Sequence, residues 1–189
     1  MKAEFEATPD GIKVGNRVIG YSAAFRQLDD GKHDRNNSEG LRILACVEDA
    51  KANGWLHLTL EKEVALWRWL VVTIFINEEH AKNGSIDVPN DEGSTDHAII
   101  YVGKNGSMGI YPGPVRFSLA SHVEGCAIEK YGIETGLGLA LRMYQDMVKI
   151  SSEHGFILSP IGREGLEMLH DEYIEMIHTE GMPDMPVTH

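Results

Sequence analysis

The sequence predicts an α+β protein, with a small antiparallel β-meander and hairpin sheet packed against about five helices and a buried central helix near residues 60–83. Three observations carry this reading. Short β-rich stretches with turn signals stand at the N-terminus and again near residue 100, without the alternation that βαβ units require. Residues 64–76, VALWRWLVVTIFI, would be apolar on nearly every side of a helix. The last third of the chain reads as three successive helices, each followed by glycine.

The elements follow in order. Residues 3–21 read as the meander, with turns at Pro9-Asp10-Gly11 and at Gly15-Asn16 between IKV and RVI. DDGKHDRNNSEG is polar and aperiodic and reads as a loop. Ser38 can cap a helix over about 39–53 that Gly54 stops, its stripe formed by Leu41, Leu44, Ala45 and Glu48 and widened by Ile43 and Val47. Thr59 caps a longer helix over about 60–83. Glu61 and Glu63 lie in its first turn, where the macrodipole favours them, and Gly84 ends it. Its β-branched content leaves a strand over 70–77 open, and length favours the helix. NGSIDVPNDEGSTD reads as a polar connector. DHAIIYV and the residues after Asn105-Gly106 form a hairpin, because both turn residues tolerate positive φ. Helices over about 117–131, 135–153 and 161–180 complete the chain. The tail 183–189 reads as flexible. No stretch is linker-like enough to separate two cores, so residues 1–189 are expected to form a single domain.

Composition narrows the function classes. At 42% apolar and 24% charged residues the chain is globular rather than disordered. The longest apolar run is too short to span a bilayer and carries Arg68, so no membrane is expected. The N-terminus MKAEFEATPDG lacks an apolar signal core. Two cysteines give neither a disulfide framework nor a CxxC zinc pattern, and a cytoplasmic, reducing setting is the simplest expectation. The net charge of −12 is unevenly spread: residues 151–189 carry 8 acidic and 1 basic side chains, against 9 and 8 in residues 1–58. Such a surface repels phosphate backbones, which argues against direct nucleic-acid binding.

The candidate chemistry is sparse. DHAIIYVGKNG is similar to the histidine-bearing strand of papain-like cysteine hydrolases of the NlpC/P60 type. That resemblance implies His97 paired with a cysteine nucleophile, Cys126 or Cys46. A thiolate nucleophile needs a helix N-terminus or an adjacent imidazole, and both cysteines fall mid-helix. His122 and Cys126, four apart on one helix, could form half a metal site, but no second pair completes it. His170 and His178 stand about 12 Å apart along a helix axis, too far for one metal. His57-Leu58-Thr59 matches the HxT triplet of two-histidine phosphoesterases without its second copy, and reads as the approach to the Thr59 cap. Gly136 and Gly138 lack the preceding strand and the GK[ST] of a phosphate loop, and fit close helix packing better. No cofactor or metal is expected.

What remains is the acidic C-terminal helical part, 151–182. Leu166, Leu169, Tyr173, Met176 and Ile177 would form its apolar stripe, leaving Glu164, Glu167, Asp171, Glu172 and Glu175 to meet a partner. The resulting expectation is a small acidic binding protein, more a non-enzyme than an enzyme. It would inhibit or modulate a basic partner, such as a nucleic-acid-processing complex, by nucleic-acid mimicry. The alternatives are the cysteine hydrolase, with His97 and Cys126, and an oligomeric structural protein. In the latter, helix 60–83 and hairpin edge 97–111 would build a homodimer interface.

Overall fold

The computed structural model of the chain describes residues 4–30, 38–106, 108–151 and 155–180. Among these residues it shows an α+β fold of six helices and three small antiparallel sheets. The N-terminal meander is as expected: β1 (Phe5–Thr8), β2 (Gly11–Val14) and β3 (Arg17–Ile19) pair in sequence order. Gly11, at φ 149°, packs directly against the end of β3. A Cβ there would lie within 2.2 Å of the Ile19 carbonyl oxygen, so only glycine fits.

Helix α1 (Tyr21–Asp30) was not anticipated and takes in Asp29 and Asp30, which read as loop. Its signal is short: Ala24 and Leu28, four apart, are its buried residues. The Tyr21 hydroxyl donates to the Thr8 carbonyl at 2.6 Å and ties α1 to the meander. The rest of the expected loop up to residue 37 lies outside the described residues. Helix α2 (Ser38–Ala52) buries Ile43, Leu44, Cys46, Val47 and Ala50 and stops at Gly54, whose φ is 73°.

Helix α3 (Leu60–Asn83) is the centre of the molecule. Thr59 caps it, its hydroxyl accepting from the Lys62 amide at 3.3 Å, and Gly84 closes it, its backbone N–H donating to the His80 carbonyl at 2.9 Å. Trp67, Trp69, Leu70, Val71, Ile74, Phe75 and Ile76 are all buried, which confirms the helix and its central place.

The sheet over α3 has three strands rather than two. β4 (Ser85–Pro89), β5 (Thr95–Val102) and β6 (Met108–Pro112) pair in order, with β5 central. The stretch read as a polar connector therefore supplies β4. Ile86 and Val88 repeat with period two, and the Asn90 side chain accepts from the Ser94 and Glu92 amides, closing the turn. Ile99 and Tyr101 face inward onto α3. On the other face, Ile86, Val102, Met108 and Ile110 are exposed.

Helices α4 (Gly113–Tyr131) and α5 (Ile133–Asp146) meet at Gly132, whose φ of 84° makes the corner. α5 ends well short of residue 153. Val148 and Ile150 alternate with polar residues, and the chain forms the hairpin β7 (Val148–Ser151) and β8 (Gly155–Leu158) instead. Ser159 then caps α6 (Pro160–Glu180): its hydroxyl accepts from the Gly162 amide at 3.0 Å and donates to the Asp146 carbonyl at 2.9 Å. One apolar cluster links Ile12 in the meander, α3 and Leu166 on α6. No helix among the described residues is long and apolar enough to cross a membrane. The tail beyond residue 180 lies outside the described residues.

The two glycines of α5 have opposite roles. A Cβ on Gly136 would sit 2.6 Å from the backbone of Ile128 on α4, whereas one on Gly138 would meet nothing within 4 Å. Gly136→Ala is expected to force the helices apart and lower Tm by roughly 3–10 °C. Gly138→Ala should leave Tm unchanged or raise it by a few degrees, about what the better helix propensity contributes. Thermal melts of the two variants check this; equal effects would contradict the packing.

Candidate functional site

A cavity of about 260 Å³ lies where α3, α4, α5 and α6 converge. α3 contributes Val71, Val72 and Phe75, α4 contributes Ala120 and Val123, and α5 contributes Met143 and Tyr144. α6 closes the last side with Leu166, Leu169 and His170, while Met168 and Glu172 reach solvent and place its mouth on the protein surface. The wall is apolar almost throughout, as is usual for ligand cavities.

Two polar groups of the wall are fixed from behind. The Tyr144 hydroxyl donates to Glu124 Oε2 at 2.6 Å, and Arg68 holds the same carboxylate with two bonds, Nε to Oε2 at 2.6 Å and an Nη to Oε1 at 2.7 Å. Burial, then the Glu124 charge, push the Tyr144 hydroxyl far above the usual phenol range. For Arg68, burial alone would lower the pKa, but the bonds to Glu124 more than offset it. The trio joins α3, α4 and α5. His170 is the second group. Its Nδ1 lies 2.8 Å from the Leu166 carbonyl oxygen, and since a carbonyl only accepts, Nδ1 carries the proton. The ring stacks on Phe75 with centroids 4.4 Å apart.

The acidic residues of α6 divide into two groups. Asp171 is half-buried and accepts from the Tyr101 hydroxyl at 3.1 Å and the Lys104 amide at 3.3 Å. The Glu167 carbonyl accepts from the same hydroxyl at 3.0 Å, and its carboxylate lies 3.9 Å from Lys104 Nζ. These two residues hold α6 against β5. Burial, then Asp171, raise the Tyr101 hydroxyl well above its ordinary value. Glu164, Glu172 and Glu175 are exposed, and with Ile161 and Met168 they recur at the three- and four-residue spacing of one helix face. Arg163, the basic residue of residues 151–189, pairs with Glu78 on α3. Leu166 and Leu169 point inward as expected; the side chains of Tyr173, Met176, Ile177 and His178 lie outside the described residues.

The other candidates stand apart from this site. Cys46 is buried within α2, where burial, then Asp49 and Glu6, push its thiol up to about 11, the reverse of what a nucleophile needs. Cys126 is exposed on α4, more than three turns from its start, with Sγ 3.8 Å from His122 Nε2 on the same helix. His97 lies on β5 opposite Asp87, and its side chain is outside the described residues. Among the described residues no three His, Cys, Asp or Glu side chains converge as a metal site would need. The Arg68–Glu124–Tyr144 trio escaped the sequence reading, and His170, weighed there only as a metal ligand, instead packs against Phe75 in the cavity wall. Arg68 inside an apolar helix was the available signal, since a cation there demands a buried acidic partner.

Glu124→Gln should leave the Arg68 charge uncompensated and cost about 3 kcal/mol, lowering Tm by roughly 6–12 °C. The triple change R68M/E124L/Y144F, which removes every member of the network, should recover most of that loss. Chemical denaturation measures both, and a triple variant no better than E124Q would show that the charges themselves stabilise the core. A thiol reagent at pH 7 is expected to modify Cys126 in the folded protein and Cys46 only after unfolding. Mass spectrometry of the labelled chain reads the difference, and rapid labelling of native Cys46 would contradict its burial.

No known protein family matches the chain, and neither does any curated protein or solved structure, so a functional reading stands on this geometry.

Proposed function

We propose that the protein is a non-enzymatic binding protein that inhibits or modulates a basic protein partner through the exposed face of α6. The observation that carries this reading is the helical stripe Ile161, Glu164, Met168, Glu172 and Glu175, which alternates apolar and acidic groups in solvent. It covers about 21 Å of helix, enough to match a row of lysine and arginine side chains. The basic side chain nearest in sequence, Arg163, is engaged by Glu78 and does not cancel the stripe. Carboxylates in such an array steer a cationic partner into register and raise its association rate, most strongly at low salt. A partner that itself handles nucleic acid supplies such a cationic surface. The free thiols suit a reducing compartment, and the reading places the protein in the cytoplasm.

Charge reversal tests it. E164K/E172K/E175K leaves Glu167 and Asp171, the residues that hold α6 on β5, untouched. The variant should stay folded, with its helical circular dichroism retained, and lose its partners in pull-downs from the native host, read by mass spectrometry. Recovery of the same partners in the same amounts would overturn the proposal.

A further inference from the structure

The cavity and the acidic stripe share a boundary. Met168 and Glu172 belong to both, so whatever lies along α6 passes over the cavity's mouth. A void of about 260 Å³ is large for a close-packed interior. Scaled from the ~150 Å³ cavity that holds benzene, it accommodates about ten non-hydrogen atoms, the size of an indole side chain. Its walls at Val71, Phe75, Val123 and Met143 offer no charge, and Glu172 at the rim is the charged residue among those lining it. Methionine walls adapt to the shape of an incoming group at small cost. An apolar group with a cation beside it matches both features. An anionic or zwitterionic ligand matches neither, because Glu172 repels it and the walls give it no donor.

We infer that the cavity receives a bulky aromatic side chain from a basic segment of the partner, with flanking lysine or arginine side chains pairing with Glu172 and the other carboxylates of the stripe. This rests on the reading that α6 docks a basic partner, and it adds the anchor that turns charge attraction into a selective contact. A row of charges alone accepts any polycation. A buried aromatic anchor beside them selects segments of the form basic–aromatic–basic.

Dye-labelled synthetic peptides test this by fluorescence anisotropy: Lys-Lys-Trp-Lys-Lys, the same peptide with alanine for tryptophan, and Glu-Glu-Trp-Glu-Glu. The full-length protein is expected to bind the first at least about tenfold more tightly than the second, and the third not at all. V123F, which fills the cavity from α4, should bind the lysine peptides equally, and E164K/E172K/E175K should bind neither. Equal binding of the tryptophan and alanine peptides to the unaltered protein overturns the cavity assignment and leaves the α6 reading standing. Undiminished binding by the charge-reversed variant overturns the α6 reading itself. Failure of both lysine peptides to bind overturns the assignment as well. The peptide pair on the unaltered chain decides the question even if V123F does not fold.

Discussion

A helix with no polar side must be covered on every side, and α3 imposes that requirement on the rest of the molecule. Twelve residues of it, from Val64 to Glu79, are buried. The β4–β5–β6 sheet covers it with Ile99 and Tyr101, α4 and α5 take another flank, and Phe75 receives His170 from α6. Within that apolar helix Arg68 fixes one point of the assembly absolutely. A guanidinium that is three-quarters buried has to meet a carboxylate in good geometry, and Glu124 provides it from a position 56 residues away. Apolar packing tolerates small slides of one helix over another; a two-bond Arg–Glu pair with a tyrosine on the same oxygen does not.

The legible parts of the fold were those written in local chemistry. Thr59 and Gly84 mark the ends of α3 because a cap and a left-handed stop act within one turn. Gly106 marks the β5–β6 connection because its φ of 82° favours glycine, although the hydrogen-bonded turn runs from Gly103 to Gly106 and the connection from Val102 to Met108 is longer than the two-residue turn that Asn105-Gly106 suggests. What was not legible depends on distant partners. By sequence alone residues 148–153 read as the end of α5, and only the pairing of Val148–Ser151 with Gly155–Leu158 and the Ser159 bridge to α5 make this stretch a hairpin. α1 carries too few apolar positions to announce itself before the meander covers them.

The candidate site divides on the same principle. Five carboxylates on one helix look equivalent in the sequence. Whether each one holds the fold or faces a partner depends on what stands opposite. Asp171 and Glu167 meet Tyr101 of β5 and Lys104 just beyond it, and Glu164, Glu172 and Glu175 are exposed. The cavity is invisible in the chain for a stronger reason, since four helices spread over about a hundred residues contribute to it. The acidic tilt of the C-terminal segment drew attention to α6 but could not reveal that the helix is also the wall of a cavity.

The Tyr101–Asp171 bond closes a loop of 70 residues, and α6 is the last described element of the chain. Loop closure over that distance is slow compared with the hairpins and single helices that precede it. As the protein emerges from a ribosome, the meander, α3, the central sheet and α5 can all assemble while α6 is still unmade. Until α6 docks there is no cavity mouth, no ordered row of carboxylates, and an apolar wall at Phe75 and Tyr144 open to water. The exposed carboxylate row and the cavity mouth therefore form only when α6 packs onto the rest of the described fold, and until then the wall at Phe75 and Tyr144 is what the chain most needs to keep covered.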